Sequence, residues 1–539
     1  MAPALGACLM LGATARGEEA AAEMLSIRQP GLHFFSGEQA ARTVLIRAAG
    51  LEGAPATRLT WTVTVGTAVA QRGSAQVKPG GGLIEQEILL QMPEVRRVTA
   101  GALRLSLQQD ARVLRSRAYD IGLFPPAPVV PAMVKDKKIV LYDPTGRTAA
   151  ALAYLGVKYA ELPQTWSLDT GEADLLIVGC AVPDEVLARL LDQVRANVHK
   201  GMAVLCLEQA HLDEGKPPYL ALADREAPLA AWAEPAGKQP VRGELPEAML
   251  SLWRGDGAVV RRAFAGPTRG NFRILTDAAP AGVADAPQAA VVEAPSGKGK
   301  LVFSQMLIGE KFLEEPVARY AFVNLLVRAL APGEPLGAKA AVLAGPEDEA
   351  KKVAETAKLL GLDAVVNPLS VEGYDFVLVS GTEGSAERLG ASGRAGKEAL
   401  LGVLKEGGTV SLVGLAPGAV GTFDFLWGGA VTVAAAEEGA ALDLSSMADK
   451  ALFQGLRPSE LRTLCGRAPH PLIAFTSQAP NVASVAGAGI VALPRLKGTV
   501  IISQLPLPED EKDEMSLRTY SELLTNSGVE LKIPERRDE

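Results

Sequence analysis

The chain is poor in the residues that most often do chemistry. Among 539 residues there are 4 cysteines and 4 histidines. Cys8, Cys180, Cys206 and Cys465 lie far apart with no Cys-x-x-Cys pair, and His33, His199, His211 and His470 are as scattered. Neither a disulfide framework nor a finger-type zinc site is therefore expected. The formal net charge is −8 and no basic cluster stands out. Nucleic-acid binding normally needs a basic stripe to displace counterions, so no nucleic-acid partner is expected. No stretch reaches ~18 uninterrupted apolar residues, so no transmembrane segment is expected. There is also no run of strand–helix units long enough for a (β/α)8 barrel, the usual enclosure for paired hydrolytic carboxylates. What remains is an ordinary folded composition, 48% apolar and 22% charged, long enough for three or four domains.

The most informative feature is a repeat. Lys298-Gly299-Lys300-Leu301-Val302-Phe303-Ser304-Gln305 recurs as Lys497-Gly498-Thr499-Val500-Ile501-Ile502-Ser503-Gln504. Each is followed by a helical pattern, with Ala318-Arg319-Tyr320 and Leu325-Leu326 answered by Arg518-Thr519-Tyr520 and Leu523-Leu524. Earlier landmarks repeat in the same order. Ile139-Val140-Leu141-Tyr142 is answered by Ala341-Val342-Leu343, and Asp174-Leu175-Leu176-Ile177-Val178 by Asp375-Phe376-Val377-Leu378-Val379. Helices ending at Gly156 and Gly361 lie between them. Continuous apolar strands spaced by helices predict a parallel sheet covered on both faces, present twice. Residues 217–290 read as loops with short strands.

The first part differs. From Leu25 to Leu123 apolar residues recur with period two, as in Leu59-Thr60-Trp61-Thr62-Val63-Thr64-Val65, which predicts a β-sandwich. Trp61 reads as a core anchor, with sugar stacking the alternative. Phe124 to Pro131 carries four prolines and reads as a semi-rigid spacer. The expected organisation is a signal segment at 1–24, an immunoglobulin-like β-sandwich at 25–124, a Pro-rich linker at 125–136, α/β domains at 137–332 and 338–532, and a tail at 533–539. Met1 to Thr14 is apolar, and Ala13-Thr14-Ala15 has the shape of a signal-peptidase site. Export to the periplasm or exterior is expected on that pattern, although a basic n-region is missing.

No residue is assigned a catalytic, cofactor-binding or metal-binding role. The strongest candidate is Cys206, ending a buried strand in Val204-Leu205-Cys206-Leu207-Glu208-Gln209. That resembles the nucleophile elbow of class I glutamine amidotransferases, but Glu208 and Val204 stand where the elbow has glycines. The resemblance also implies a His-Pro-Glu dyad, and the matching strand end here reads Ser304-Gln305-Met306. Without a histidine base a thiol stays protonated at neutral pH. The glycine runs at 296–300 and 381–384 lack the strand-then-helix phosphate-loop pattern, and the first reads as a hairpin turn. No cofactor is expected.

A β-sandwich followed by tandem amidotransferase-like, flavodoxin-like domains resembles the C-terminal regions of β-galactosidase-like proteins of glycoside hydrolase families 2 and 42. Gly455-Leu456-Arg457-Pro458-Ser459-Glu460-Leu461 and Leu523-Leu524-Thr525-Asn526-Ser527-Gly528-Val529 are similar to phrases found there. The resemblance implies ancillary, non-catalytic domains that serve oligomerisation or carbohydrate-associated assembly, with self-association or a protein partner and a carbohydrate as candidate ligands. Two alternatives stand beside it: a cysteine-dependent amidase or hydrolase using Cys206, and a cell-surface adhesion or assembly protein unrelated to sugars.

Overall fold

A computed structural model describes residues 25–532 except 30, 48–56, 79–81, 111, 163–172, 213–219, 225, 227–228, 233–242, 244, 268–269, 281–287, 334–335, 430–431, 436–450, 469–472, 477–482 and 486–489. The expected signal segment and tail lie outside the described residues.

The period-two region forms β1 (Leu25–Ile27), β2 (His33–Phe35), β3 (Gln39–Arg47), β4 (Thr57–Val65), β5 (Ala68–Val77), β6 (Leu83–Gln91), β7 (Thr99–Gln109) and β8 (Arg112–Phe124). They make a three-stranded sheet, β1-β3-β6, and a five-stranded sheet, β2-β8-β7-β4-β5. Side chains alternate across a strand. Leu59, Trp61, Val63, Leu103, Leu105 and Leu107 therefore meet Val44, Ile46, Ile88 and Leu90 in one core. Trp61 is 9% exposed and lies over Gly73 on the neighbouring strand, where a Cβ would stand 2.2 Å from the indole. It is a core anchor, and its ring faces away from solvent.

The first α/β region runs α1 (Ala132–Lys135), β9 (Ile139–Tyr142), α2 (Arg147–Tyr154), β10 (Ala160–Glu161), β11 (Leu175–Val178), α3 (Asp184–Lys200), β12 (Ala203–Cys206), β13 (Ala230–Trp232), β14 (Phe264–Ala265), β15 (Arg273–Ala279), β16 (Gln288–Ser296), β17 (Gly299–Ser304), α4 (Ile308–Lys311) and α5 (Pro316–Leu330). The second runs β18 (Ala340–Leu343), α6 (Glu347–Leu359), β19 (Ala364–Val366), β20 (Phe376–Ser380), α7 (Glu383–Ala391), α8 (Gly393–Glu406), β21 (Thr409–Val413), α9 (Val420–Phe423), β22 (Thr432–Ala435), α10 (Pro458–Gly466), β23 (Ile473–Thr476), β24 (Ala483–Val485), β25 (Ile490–Arg495), β26 (Gly498–Ser503) and α11 (Glu514–Asn526).

Their sheets have the same order. β10-β9-β11-β12-β17-β16-β15 is matched strand for strand by β19-β18-β20-β21-β26-β25-β24. The first five strands of each are parallel and the rest antiparallel. Leu175 and Ile177 enter one core while Leu176 and Val178 enter the other, so helices cover both faces. The short strands expected within 217–290 are β13, β14, β15 and the start of β16, and β15 is buried along all 7 residues. Arg273 and Asp277 disguised it, because charge inside an apolar run reads as loop.

The repeated residues have repeated jobs. The carboxylates of Asp174 and Asp375 accept from the Lys138 and Lys339 amides at 2.9 and 3.0 Å, tying the start of the first strand to the third. A Cβ on Gly299 would stand 2.2 Å from the Val198 carbonyl, and one on Gly498 2.1 Å from the Gly408 carbonyl. The Ser304 and Ser503 hydroxyls accept from the amides two residues on, at 3.2 and 3.3 Å. One difference is instructive. The β16–β17 hairpin turns on Gly297 at φ 56°, whereas the β25–β26 hairpin puts Leu496 there at φ 58°. A left-handed conformation costs a branched residue ~1–2 kcal/mol, and Leu496 is 55% exposed, so it gains little packing in return. Leu496→Gly is expected to raise stability by about 1 kcal/mol, read as a higher denaturant midpoint.

Candidate functional site

In a doubly wound sheet, ligands bind where the strand order reverses, at the carboxyl ends of the strands. Here that crevice lies beyond β9 and β11 in one region and β18 and β20 in the other. Both are occupied by the chain's own carboxylates. Asp143 accepts from the Thr145 hydroxyl at 2.8 Å and the Ala149 amide at 2.8 Å. Glu349 accepts from the hydroxyls of Ser380, of Thr382 at 2.7 Å and of Ser385 at 2.9 Å. Burial would raise the Glu349 carboxyl, but these hydrogen bonds hold it below the usual range. The glycine run at 381–384 thus wraps an internal anion.

Cys206 ends β12 and is 1% exposed. Its sulfur receives a contact from the Gln209 side-chain nitrogen at 3.5 Å, and burial pushes the thiol up to about 12. Gln209 is itself fully engaged. It donates to the Gly179 and Leu207 carbonyls, each at 2.7 Å, and accepts from the Val182 amide at 2.8 Å. Gln305, the residue just after β17, holds the Gln209 backbone. Among the described residues no histidine bonds to the Cys206 thiol, so a thiolate has no base to form it. Cys180, at the end of β11, is raised further by burial and by the nearby Glu208 carboxylate. Among the described residues, no group of three or more His, Cys, Asp or Glu side chains is placed to hold a metal.

The concentrated chemistry lies elsewhere, in a buried seam between the two α/β regions. Every residue of α11 from Ser516 to Asn526 is buried. Its apolar side, Leu517, Tyr520, Leu523 and Leu524, enters its own core. Its polar side faces β15. Glu522 accepts from the Ile274 amide at 3.1 Å, Asn526 accepts from the Arg273 guanidinium at 2.6 Å, and Thr525 and the Val529 carbonyl hold Asn271. Arg457, at the start of α10, pairs with Asp277 of β15 and with Glu460 at 3.4 Å, and Arg518 also pairs with Glu460. A second knot adjoins it. Glu293 of β16 takes Arg273 at 3.0 Å, Arg328 at 2.6 Å and Lys300 at 3.6 Å.

Three carboxylates, Asp277, Glu460 and Glu522, thus share two guanidiniums, so one is left without a cation. That one is Glu522, which burial, and then repulsion from Glu460, pushes up to about 8. The folded form keeps a proton that the unfolded chain sheds near pH ~4.3, so the contribution of this group to stability falls as pH rises from ~4 to ~8 and changes little above. Glu522→Gln mimics the protonated acid. Its unfolding free energy relative to the parent is expected to climb across that window, by more than ~1 kcal/mol, as read from urea titrations, and a pH-independent difference would contradict this.

The junction with the sandwich is built alike, from the matching helix. Glu315 caps α5 through the Val317 amide at 2.9 Å and meets His33 of β2 at 3.2 Å. Arg319 donates to the Pro126 carbonyl at 2.7 Å and lies 4.2 Å from the centre of the Phe35 ring. The proline linker is therefore pinned at its start. In the sequence, Arg457, Glu460, Thr525 and Asn526 stand out only as parts of the family-like phrases at 455–461 and 523–529. The signal that would have found the seam was charge within apolar strands, at Arg273, Asp277, Glu293 and Lys300.

No family model matches the sequence, and no curated protein does. Among solved structures, a glycosyl hydrolase family 2 member from Bacteroides cellulosilyticus DSM 14838 is 11% identical, covering 36% of this chain and 32% of that one at a TM-score of 0.17. A putative beta-galactosidase from Bacteroides fragilis is 14% identical, covering 34% and 38% at 0.14. A family 39 glycoside hydrolase from Bacteroides cellulosilyticus WH2 is 9% identical, covering 36% and 35% at 0.16. The similarity is distant and low in identity, and the chain spans about a third of the length of these enzymes. No helix among the described residues is long and apolar enough to cross a membrane.

Proposed function

We propose that the chain is a non-catalytic accessory platform for carbohydrate-associated assembly, made of a β-sandwich and two flavodoxin-like, amidotransferase-like units at about 137–332 and 338–532. The observation that carries this reading is the occupation of both switch points by the chain's own carboxylates, Asp143 and Glu349. The final helix of each unit, α5 or α11, is spent on gripping the region before it, which suits a rigid support. The carbohydrate association comes from the sequence phrases at 455–461 and 523–529, and export from the apolar segment ahead of Arg16 belongs to the same proposal. A cysteine hydrolase at Cys206 is not favoured, since the thiol has burial in place of a base. Light scattering on the purified chain, alone and mixed with a separately purified neighbouring glycosidase, tests the reading. A stable oligomer or a co-eluting complex supports it; a monomer that ignores the glycosidase contradicts it.

A further inference from the structure

We infer that the outward face of the five-stranded sheet binds an extended acidic polysaccharide. This rests on the carbohydrate-associated part of the reading above and supplies the chemistry of the ligand. Because Leu59, Trp61, Val63, Leu103, Leu105 and Leu107 point inward, the alternate residues point out. Strand register sets them in rows across β5, β4, β7 and β8. One row is Arg72-Thr62-Arg104-Ala118, the next Ser74-Thr60-Ser106-Ser116, and the third Gln76-Arg58-Gln108-Val113.

Arg58, Arg72 and Arg104 are exposed and make no ion pair among the described residues. These three rows hold no carboxylate; Asp120 lies in the following row, beside Ala102. On a chain of net charge −8 this is a local cationic surface. Arg72 and Arg104 sit two strand spacings apart, ~9.5 Å, and Arg58 lies ~13 Å along β4 from their row. Charge spread this way matches a repeating anion.

The row between the arginines selects the kind of polymer. The Ser106 and Ser116 hydroxyls lie 3.0 Å apart, and Thr60 donates to the Ser106 carbonyl at 3.3 Å. Hydroxyls ordered in this way both donate and accept, as a hydroxyl-dense ligand requires. The rows carry no aromatic ring on which a nucleic-acid base could stack, and their one large exposed apolar side chain, Val113, sits at the end of the third row and not at the centre, where a protein interface places its anchors. A flat, hydroxyl-rich, carboxylate-bearing chain fits; a neutral sugar needing a stacking platform does not.

Affinity electrophoresis of the complete chain at low salt tests this against polygalacturonate, uncharged pullulan, poly-L-glutamate and single-stranded poly(dT). Polygalacturonate is expected to retard the protein most, less so as salt rises. The combined variant Arg58→Gln, Arg72→Gln, Arg104→Gln is expected to bind at least about tenfold more weakly, with unchanged unfolding midpoint and light-scattering mass. Lys351→Gln, Lys352→Gln, Arg394→Gln removes the same charge from the second α/β region and is expected to leave binding intact. The inference is overturned if polygalacturonate does not bind, or if poly-L-glutamate, poly(dT) or pullulan binds as well. It is equally overturned if the two triple variants behave alike. Those outcomes leave the light-scattering test of the platform untouched, so the two ideas fail separately.

Discussion

Arg457→Ala is expected to uncouple the two α/β regions, turning one cooperative unfolding transition into two. Arg457 is 4% exposed and spans the seam, pairing with Asp277 of the first region and Glu460 of the second. Removing it leaves two buried carboxylates short of a cation and the Gln288 carbonyl without its donor at 3.2 Å. Breaking a buried pair from one side costs ~3–5 kcal/mol, far more than a surface pair is worth. The loss falls on the docking of the regions, because each sheet keeps its own core. Calorimetry of the complete chain checks this, and an unchanged single transition would count against it. Replacing Asp277, Arg457 and Glu460 together by apolar residues is expected to cost less than Arg457→Ala alone, since a desolvated ion network contributes little net stability. What the seam supplies is a single docking geometry.

The second large effect is expected at Glu293, where Glu293→Ala strips one carboxylate from among Arg273, Arg328 and Lys300. Glu293 is 0% exposed. Burial alone would raise its carboxyl, but Arg328, Lys300 and Arg273 hold it below the usual range. A group depressed in this way contributes stability above its unfolded value near pH ~4.3 and loses it as pH falls through the folded one. The substitution is expected to cost about 3–5 kcal/mol at neutral pH and to shrink the difference from the parent in acid. Urea titrations at two pH values measure both. A cost below ~1 kcal/mol would place the three cations in contact with water, contrary to their burial.

The sequence disclosed the architecture more readily than the seam, for a physical reason. Strand order follows from apolar runs, and the Asp, Gly and Ser-Gln landmarks repeat because each copy meets the same backbone contacts. Helix α11 is harder to read. Arg518, Glu522 and Asn526 lie on one side of it, and a polar side of a helix ordinarily faces water; here it faces β15. Periodicity shows that a face is polar and cannot show what covers it. Residues 273–279 were hidden by the same seam, since Arg273 and Asp277 interrupt an apolar strand in order to meet α10 and α11. Cys206 was the converse. Its sequence signal is a thiol at a strand end in an elbow-like phrase, and the fold gives it Gln209 where a nucleophile needs a base.

The seam is expected to hold the two α/β regions together as one rigid body. Hydrogen exchange of the intact chain tests it most directly, by comparing amides of α11 with those of β15. The expected result is that Ser516–Asn526 and Arg273–Ala279 exchange together, only through the same large opening. If α11 exchanged through a smaller opening of its own while β15 stayed protected, the seam would not hold the regions together, and the platform reading would lose its support.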